Sequence, residues 1–294
     1  FLREGSSHYQ LLITRWLYEV LWVSKKFENK IINNLIKPYY RIMSKASGFF
    51  YINNTNTGIT TIPLIGDISP DFPPDWLIVP QANKSENSFS YSWRHLWNKN
   101  DKFDLYYNHT KPSDKPKFEY DNESGWYKIK YNKAILFLHI DPKTNSSFGN
   151  HRHNDSISFV LYIDNEAILI DTGRLNYIKK NKYSEYGLLT QGHNSLMIDG
   201  LEPMLHQDRN LFPDYYKRTK MILNWTETTD AFSFYISHNG FERLYGDTIK
   251  HERKFTLTKS NLTINDKFSG KGIHDVEWFF HFAPNIEVMK KNNH

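Results

Sequence analysis

The chain has 294 residues and a formal net charge of +5, from 37 lysines and arginines against 32 aspartates and glutamates. It contains no cysteine, which excludes a disulfide scaffold, a thiol nucleophile and any cysteine-ligated zinc or iron–sulfur site. No stretch approaches the ~18 apolar residues of a membrane-spanning helix, and no concentrated Lys/Arg run indicates a nucleic-acid partner.

The N-terminal part of the chain carries a helical pattern. From residue 7 to about residue 45, apolar residues recur at spacings of three or four, as on one face of a helix. Ser7 followed by Gln10 fits a capping box that starts this helix, and Pro38 predicts a kink or a restart. A loop, a short amphipathic helix and a linker are expected to follow, at 47–80, 89–97 and 108–116.

Beyond Phe118 the pattern changes to that of strands. Asp164-Asn165 indicates a two-residue turn between two of them. We predict strands at 126–131, 134–140, 157–163, 166–170, 195–198, 220–225, 232–237, 248–258, 262–269 and 276–282. Helices followed by many strands favour segregated domains over alternating βα units. We therefore predict an α+β multidomain chain with a helical piece at 1–112 and an antiparallel β-sandwich at 117–294.

The histidine-rich segment 151–155 precedes one of these strands. Because side chains two apart on an extended backbone point the same way, His151 and His153 are expected to share a face. Asp171 ends an apolar run, and His193 opens another strand. Two imidazoles and a carboxylate can bind Zn²⁺ without cysteine. Residues in such a pattern are more often structural hydrogen-bonding groups.

The strand pairing limits the zinc hypothesis. A turn at Asp164-Asn165 places Asp171 opposite Ser158, so that His153 would lie roughly 17 Å further along a straight strand. A shared site therefore requires the chain to bend near Asp155.

Tyr9 is expected in the first turn of the first helix. The partial positive charge at a helix N-terminus favours a phenolate and attracts anions. The alternative is that Tyr9 belongs to the apolar stripe of the helix. The histidines at positions 238, 251 and 281 are expected to be satisfied core or edge residues.

Taken in order, these segments resemble those of the heparinase II/III-like polysaccharide lyases. The similarity spans nearly the whole chain, with matching stretches at 3–9, 66–71, 151–159, 169–177, 193–196 and 238–253. Members of that family pair an incomplete α/α toroid with a C-terminal antiparallel β-sandwich. The resemblance therefore implies the end of a truncated toroid followed by a large sandwich.

The resemblance also implies a reaction. Members of the family cleave a glycosidic bond 4-linked to a uronic acid by β-elimination, removing the C5 proton and expelling the C4 oxygen. By position, Tyr9 resembles the acid/base tyrosine and His151 the catalytic histidine. His153, Asp171 and His193 resemble the ligands of a structural zinc, while Arg152 and Tyr177 are expected to contact the sugar.

The family's carboxylate-neutralising asparagine lies on a toroid helix upstream of the segment that matches Tyr9. Because this chain begins only eight residues before Tyr9, we expect that asparagine to be absent and this chain alone to be inactive. Two alternatives to a lyase stay open. One is a non-catalytic, zinc-containing glycan-binding protein of polysaccharide assembly or export, and the other is a zinc hydrolase. The expected partner is an acidic polysaccharide, without nucleic acid. A bacterial periplasm or secretion is favoured as the location, and the cytoplasm stays open.

Overall fold

The computed structural model describes residues 1–2, 5–53, 60–68, 77, 114–140, 151, 153–174, 177–178, 182–205, 213–244 and 249–289. The predicted fold class is confirmed, because in these described ranges two long helices precede a large antiparallel β-sandwich. The predicted domain limits stay a prediction, and the predicted helix at 89–97 lies outside the described residues. No helix of the described ranges is long and apolar enough to cross a membrane.

Two helices, α1 (Ser7–Lys26) and α2 (Lys30–Gly48), stand where one interrupted helix was predicted. The prediction of a restart at Pro38 is wrong, because Pro38 lies inside α2. The chain breaks instead at Glu28, whose φ of +52° lies outside the right-handed helical region. Asn29 then caps α2, its side chain accepting a hydrogen bond from the amide of Ile32 at 3.1 Å.

The cap of α1 also differs from the prediction by one residue. Ser6 is the N-cap, and its hydroxyl accepts a hydrogen bond from the amide of Tyr9 at 3.0 Å. Ser7 instead donates its hydroxyl to the carbonyl of Pro63 at 2.6 Å. Tyr9 still lies in the first helical turn, as predicted.

Within the part of the chain that the structure describes, the strands form two large and two small antiparallel sheets. Their bounds are β1 (Ile52–Asn53), β2 (Thr60–Thr61), β3 (Lys117–Asp121), β4 (Trp126–Tyr131), β5 (Ala134–His139), β6 (Val160–Ile163), β7 (Glu166–Leu169), β8 (Leu196–Ile198), β9 (Met221–Glu227), β10 (Ala231–Phe241), β11 (Ile249–Thr258), β12 (Leu262–Ser269) and β13 (Val276–Trp278). The large sheets have the orders β3-β4-β5-β6-β7 and β12-β11-β10-β9, and the small ones pair β1 with β2 and β8 with β13. Strands β1 and β2, which lie in the predicted loop at 47–80, were not predicted from the sequence. Strand β3 and two short helices, α3 (Lys182–Tyr186) and α4 (Pro213–Arg218), were not predicted either.

The five-stranded sheet lies between two apolar cores. Side chains alternate along β5, so that Leu136 and Leu138 pack towards the four-stranded sheet with Phe234, whereas Phe137 packs towards the helices with Phe50. This alternation is that of a strand buried on both faces. The sheet therefore fixes α1 and the sandwich relative to one another.

The bend required near Asp155 is present. Strand β6 begins only at Val160, three residues later than predicted, and the preceding residues turn. The amide of Ser158 donates to the carbonyl of Asp155 at 2.7 Å, closing this turn. His153 is thereby turned out of the line of the strand.

Candidate active site and metal centre

A short loop packs against the N-terminus of α1. The hydroxyl of Ser6 donates to the backbone carbonyl of Asp67 at 2.7 Å, and the amide of Ser7 donates to the carbonyl of Ile65 at 3.1 Å. Gly66 adopts a φ of +77°, and a Cβ there would lie 2.2 Å from the carbonyl oxygen of Gly5. Only glycine fits at this position, and the close approach carries Asp67 towards the segment that holds His151.

Three of the predicted residues meet at this N-terminus. The ring of Tyr9 stacks on the imidazole of His151, with 4.2 Å between centroids and 17° between planes. The hydroxyls of Tyr9 and Tyr177 are 3.2 Å apart. Burial, the hydrogen bond with Tyr9 and the negative charge of Asp67 together raise the pKa of Tyr177. Tyr177 therefore keeps its proton at neutral pH and can donate a hydrogen bond.

Asp67 lies beneath this group and was not singled out from the sequence. Its side chain is buried, with Oδ2 2.8 Å from Nδ1 of His151 and Oδ1 2.9 Å from Nε2 of His153. Burial alone would raise the pKa of Asp67, but hydrogen bonds from the two histidines and the charge of Arg174 lower it to about 2. Asp67 is therefore ionised at neutral pH.

A second group of buried residues follows directly. His153, Asp171 and His193 can each offer one ligand atom, and these atoms lie within 4.8 Å of one another. Nδ1 of His193 is 2.7 Å from Oδ2 of Asp171, and the other oxygen of Asp171 accepts from the amide of Gly173 at 2.8 Å. Burial would raise the pKa of Asp171, but the charge and hydrogen bond of His193 lower it, and Asp171 in turn raises the pKa of His193 against burial.

The donor set fits a zinc ion. Asp67 accepts a hydrogen bond from Nε2 of His153, and Asp171 accepts one from Nδ1 of His193. In the neutral rings, which are the forms that bind metal, the lone pairs are therefore on Nδ1 of His153 and on Nε2 of His193. Both of these nitrogens are buried and have no hydrogen-bond partner in the described part of the chain. Two buried lone pairs beside a carboxylate match the ligands that Zn²⁺ uses.

The residue after His193 ties the surrounding strands together. The side-chain nitrogen Nδ2 of Asn194 donates to the carbonyls of Phe159 and Ile170, at 2.7 and 2.9 Å. Nη1 of the buried Arg253 donates to the carbonyls of Asn194 and Ile157, at 3.1 and 3.0 Å. These bonds hold the segments on which the three candidate ligands lie.

The structure thus brings the predicted residues into two adjacent groups joined by Asp67. Tyr9, His151 and Tyr177 form the first group, and His153, Asp171 and His193 form the second. Arg152 lies outside the described residues. Asp67 belongs to the stretch 66–71 that carried part of the resemblance, which was the available indication of its importance.

Comparisons with known proteins agree with this architecture. A family model described as "Heparinase II/III-like, C-terminal" matches residues 113–294. A heparan sulfate lyase from Pedobacter heparinus is similar in structure, with a TM-score of 0.56 and 12% identity over 93% of this chain and 39% of the other. No curated protein sequence matches significantly.

Two heparinase III structures are also similar. One has a TM-score of 0.58 at 13% identity, covering 90% of this chain and 40% of the other. The second, with methylated lysines, has a TM-score of 0.57 at 14% identity, covering 98% and 41%. At these identities the likeness shows the fold, helices included. The chain spans about two fifths of the length of these three proteins.

Proposed function

The chain belongs to the heparinase II/III-like family through residues 113–294, and on that premise we propose that the full-length protein is a polysaccharide lyase. Its substrate would be an acidic polysaccharide that contains uronic acid, cleaved by β-elimination. The similar solved structures include a heparan sulfate lyase and heparinases, which supports this substrate class.

The observation that carries the proposal is the stacked pair of Tyr9 and His151. Tyr9 comes from the N-terminus of α1 and His151 from the segment before β6, yet their rings are 4.2 Å apart. Tyr9 lies in the first turn of α1, where the helix dipole favours a bound anion. A phenolic hydroxyl and an imidazole therefore lie side by side at a helix N-terminus, which supports binding of an acidic sugar there.

In the proposed reaction Tyr9 begins as the tyrosinate and carries a proton from C5 to the departing oxygen. Its oxygen removes the C5 proton of the uronate, the electron pair of the C5–H bond forms the C4=C5 double bond, and the C4–O bond breaks. The departing oxygen then takes the proton back from Tyr9, which ends as it began. Tyr177, which keeps its proton, donates a hydrogen bond that stabilises the tyrosinate. His151 stacks on the ring and faces the same sugar.

Zinc has a structural role in this proposal. His153, Asp171 and His193 would hold the ion, and the ion would cross-link three segments of the sandwich next to the Tyr9–His151 pair without entering the reaction. The buried unpartnered nitrogens of His153 and His193 support this role.

The test is to incubate the full-length protein with a panel of uronate polymers and to follow the ultraviolet absorbance of the unsaturated uronate product. We expect product with at least one polymer. Tyr9→Phe keeps the stacked ring but loses the hydroxyl, and should lower kcat by about 10²–10⁴-fold. Tyr120→Phe, which removes the hydroxyl of a half-exposed tyrosine on β3, is the matched control and should retain full activity.

Two results would contradict the lyase proposal. One is a folded full-length protein that yields no product from any polymer. The other is a Tyr9→Phe variant as active as the wild type. Glycan binding that survives both Tyr9→Phe and His151→Ala, with no product from any form, would favour the non-catalytic glycan-binding alternative.

A further inference from the structure

One buried carboxylate contacts both groups of the site. Asp67 places one oxygen 2.8 Å from Nδ1 of His151 and the other 2.9 Å from Nε2 of His153. His151 belongs to the tyrosine pair and His153 to the candidate metal ligands. The two groups are therefore joined through a single side chain.

The carboxylate decides which nitrogen of each ring can act. An ionised carboxylate only accepts hydrogen bonds, so both imidazoles must donate to it. In its neutral form, His151 then carries its proton on Nδ1 and has its lone pair on Nε2, whereas neutral His153 carries its proton on Nε2 and has its lone pair on Nδ1. That Nδ1 is the buried nitrogen without a hydrogen-bond partner in the described part of the chain.

The position of Asp67 is itself closely held. Its amide donates to the carbonyl of His151 at 3.2 Å, and its carbonyl accepts from the hydroxyl of Ser6 at 2.7 Å. The guanidinium of Arg174 is 3.6 Å from Oδ1 of Asp67 and also lies over the ring of Tyr177, 4.3 Å from its centroid. A shift of the carboxylate would therefore move groups on both sides.

We propose that Asp67 is a positioning residue that fixes the tautomers of His151 and His153 together and thereby couples metal binding to the geometry of the tyrosine–histidine pair. The half of this inference that concerns His151 in catalysis rests on the proposed lyase function. The coupling itself is a property of the chain and needs no substrate. It is reciprocal: whatever orders His153 also orders His151.

The experiment uses the 294-residue chain and zinc alone. Nitrogen-15 NMR of the histidine rings reports the tautomers, and competition with a chromophoric chelator reports zinc affinity. We expect the wild-type His151 to be protonated on Nδ1 and His153 on Nε2. Zinc should shift Nδ1 of His153 directly, and a smaller shift should reach the ring nitrogens of His151 through Asp67.

Asp67→Asn is the decisive variant, because an amide offers one donor and one acceptor where the carboxylate offers two acceptors. One of the two rings must then reverse its tautomer, or both lose their fixed orientation. We expect zinc affinity to fall by about 10–100-fold, as for other partners of metal-bound histidines. The response of His151 to zinc should disappear.

Asp171→Asn is the matched control, since it removes a candidate ligand without touching His151. It should weaken zinc binding and leave the His151 tautomer as in the wild type. Wild-type affinity and tautomers in Asp67→Asn would overturn the proposal. If that variant fails to fold, the wild-type spectra still decide, because a His151 ring that carries its proton on Nε2, or that ignores saturating zinc, is incompatible with the coupling.

These readouts are independent of turnover. A full-length protein that forms no unsaturated product would overturn the proposed function, whereas the tautomers and the zinc affinity of this chain would still report on Asp67.

Discussion

Asn194 makes hydrogen bonds with three separate backbone segments. Its Nδ2 donates to the carbonyls of Phe159 and Ile170, and its Oδ1 accepts from the amide of His281 at 2.7 Å. Asn194→Ala would leave these groups without partners in a buried region. We expect the free energy of unfolding to fall by about 3 kcal/mol, measured by urea denaturation.

Asn265→Ala is the control for this prediction, because Asn265 lies on the exposed face of β12. Its effect should stay within about 0.5 kcal/mol. Equal stabilities of the two variants would show that Asn194 does not hold the strands together.

Residue spacing explains which parts of the site could be predicted. His151 and His153 are two positions apart, so their proximity follows from local geometry alone. Asp67 lies 84 and 86 positions from these partners. No local pattern reports such a separation, and only the packing of the loop against α1 creates the contact. The roles of Tyr9 and of the three candidate ligands came from the resemblance.

At the scale of elements, β10, β11 and β12 share a buried polar chain. Nε2 of His238 is 2.9 Å from Nδ1 of His251, and Nε2 of His251 is 2.8 Å from Oδ1 of Asp266. Arg253 forms a two-point ion pair with Asp266, at 2.7 and 3.0 Å. The expectation that His238 and His251 are satisfied core residues is therefore confirmed.

This polar chain predicts loss of stability in acid. Burial lowers the pKa of His238 well below 6.5, and burial also lowers that of His251 despite the opposing effect of Asp266. Below about pH 6.5 the unfolded chain therefore binds more protons than the folded one, and the free energy of unfolding falls with falling pH. We expect the urea midpoint to decrease from pH 7.5 to pH 5.

Asp266 adds a second acid-sensitive step. Burial would raise the pKa of Asp266, but hydrogen bonds from His251 and Arg253 outweigh this effect and hold the pKa below its usual value. Its stabilising contribution is complete above about pH 4 and is lost as the pH falls below that value. His238→Gln should flatten the decrease between pH 7.5 and 5 and leave the step below pH 4. A midpoint that does not change with pH in the wild type would contradict this account.

The strands were easier to predict than the helix boundary, for physical reasons. In β12 the two faces alternate strictly, and its predicted bounds are those observed. Strand β3 is an edge strand in which Lys117, Glu119 and Asp121 alternate with two aromatic residues, but with only five residues it was too short to be recognised. Between α1 and α2, Asn29 was the available indication of a new helix, whereas Pro38 misled because helix α2 continues through it.

At the scale of the whole molecule, the metal would join segments that are distant in sequence. His153, Asp171 and His193 precede β6, follow β7 and precede β8 respectively. A ligand that binds only the folded state stabilises it, by about 2.7 kcal/mol at a free concentration one hundred times Kd. We therefore expect zinc to raise the melting temperature of the chain and a chelator to reverse the effect.

His193→Ala is the variant that tests this prediction. It should abolish the response to zinc, whereas His274→Ala, which removes an imidazole bonded to Asp199 at the surface, should preserve it. A melting temperature unaffected by zinc in the wild type, or an undiminished response in His193→Ala, would mean that these residues do not form a metal centre.

The fold places the two halves of the proposed active site on different layers. Tyr9 belongs to the helical layer, His151 to the sandwich, and the core containing Phe50 and Phe137 holds those layers together. Helix-then-strand order was predictable from the sequence because periodicity is local. The convergence of α1 with the segment before β6 depends on packing between layers, which periodicity does not report.

A crystal structure with diffraction recorded at the zinc absorption edge would show the metal centre and the tyrosine–histidine pair in one experiment. We expect one strong anomalous peak bound by His153, Asp171 and His193, with Tyr9 stacked on His151 next to it. A peak at other residues, or a Tyr9 hydroxyl directed away from His151 and Tyr177, would contradict this expectation.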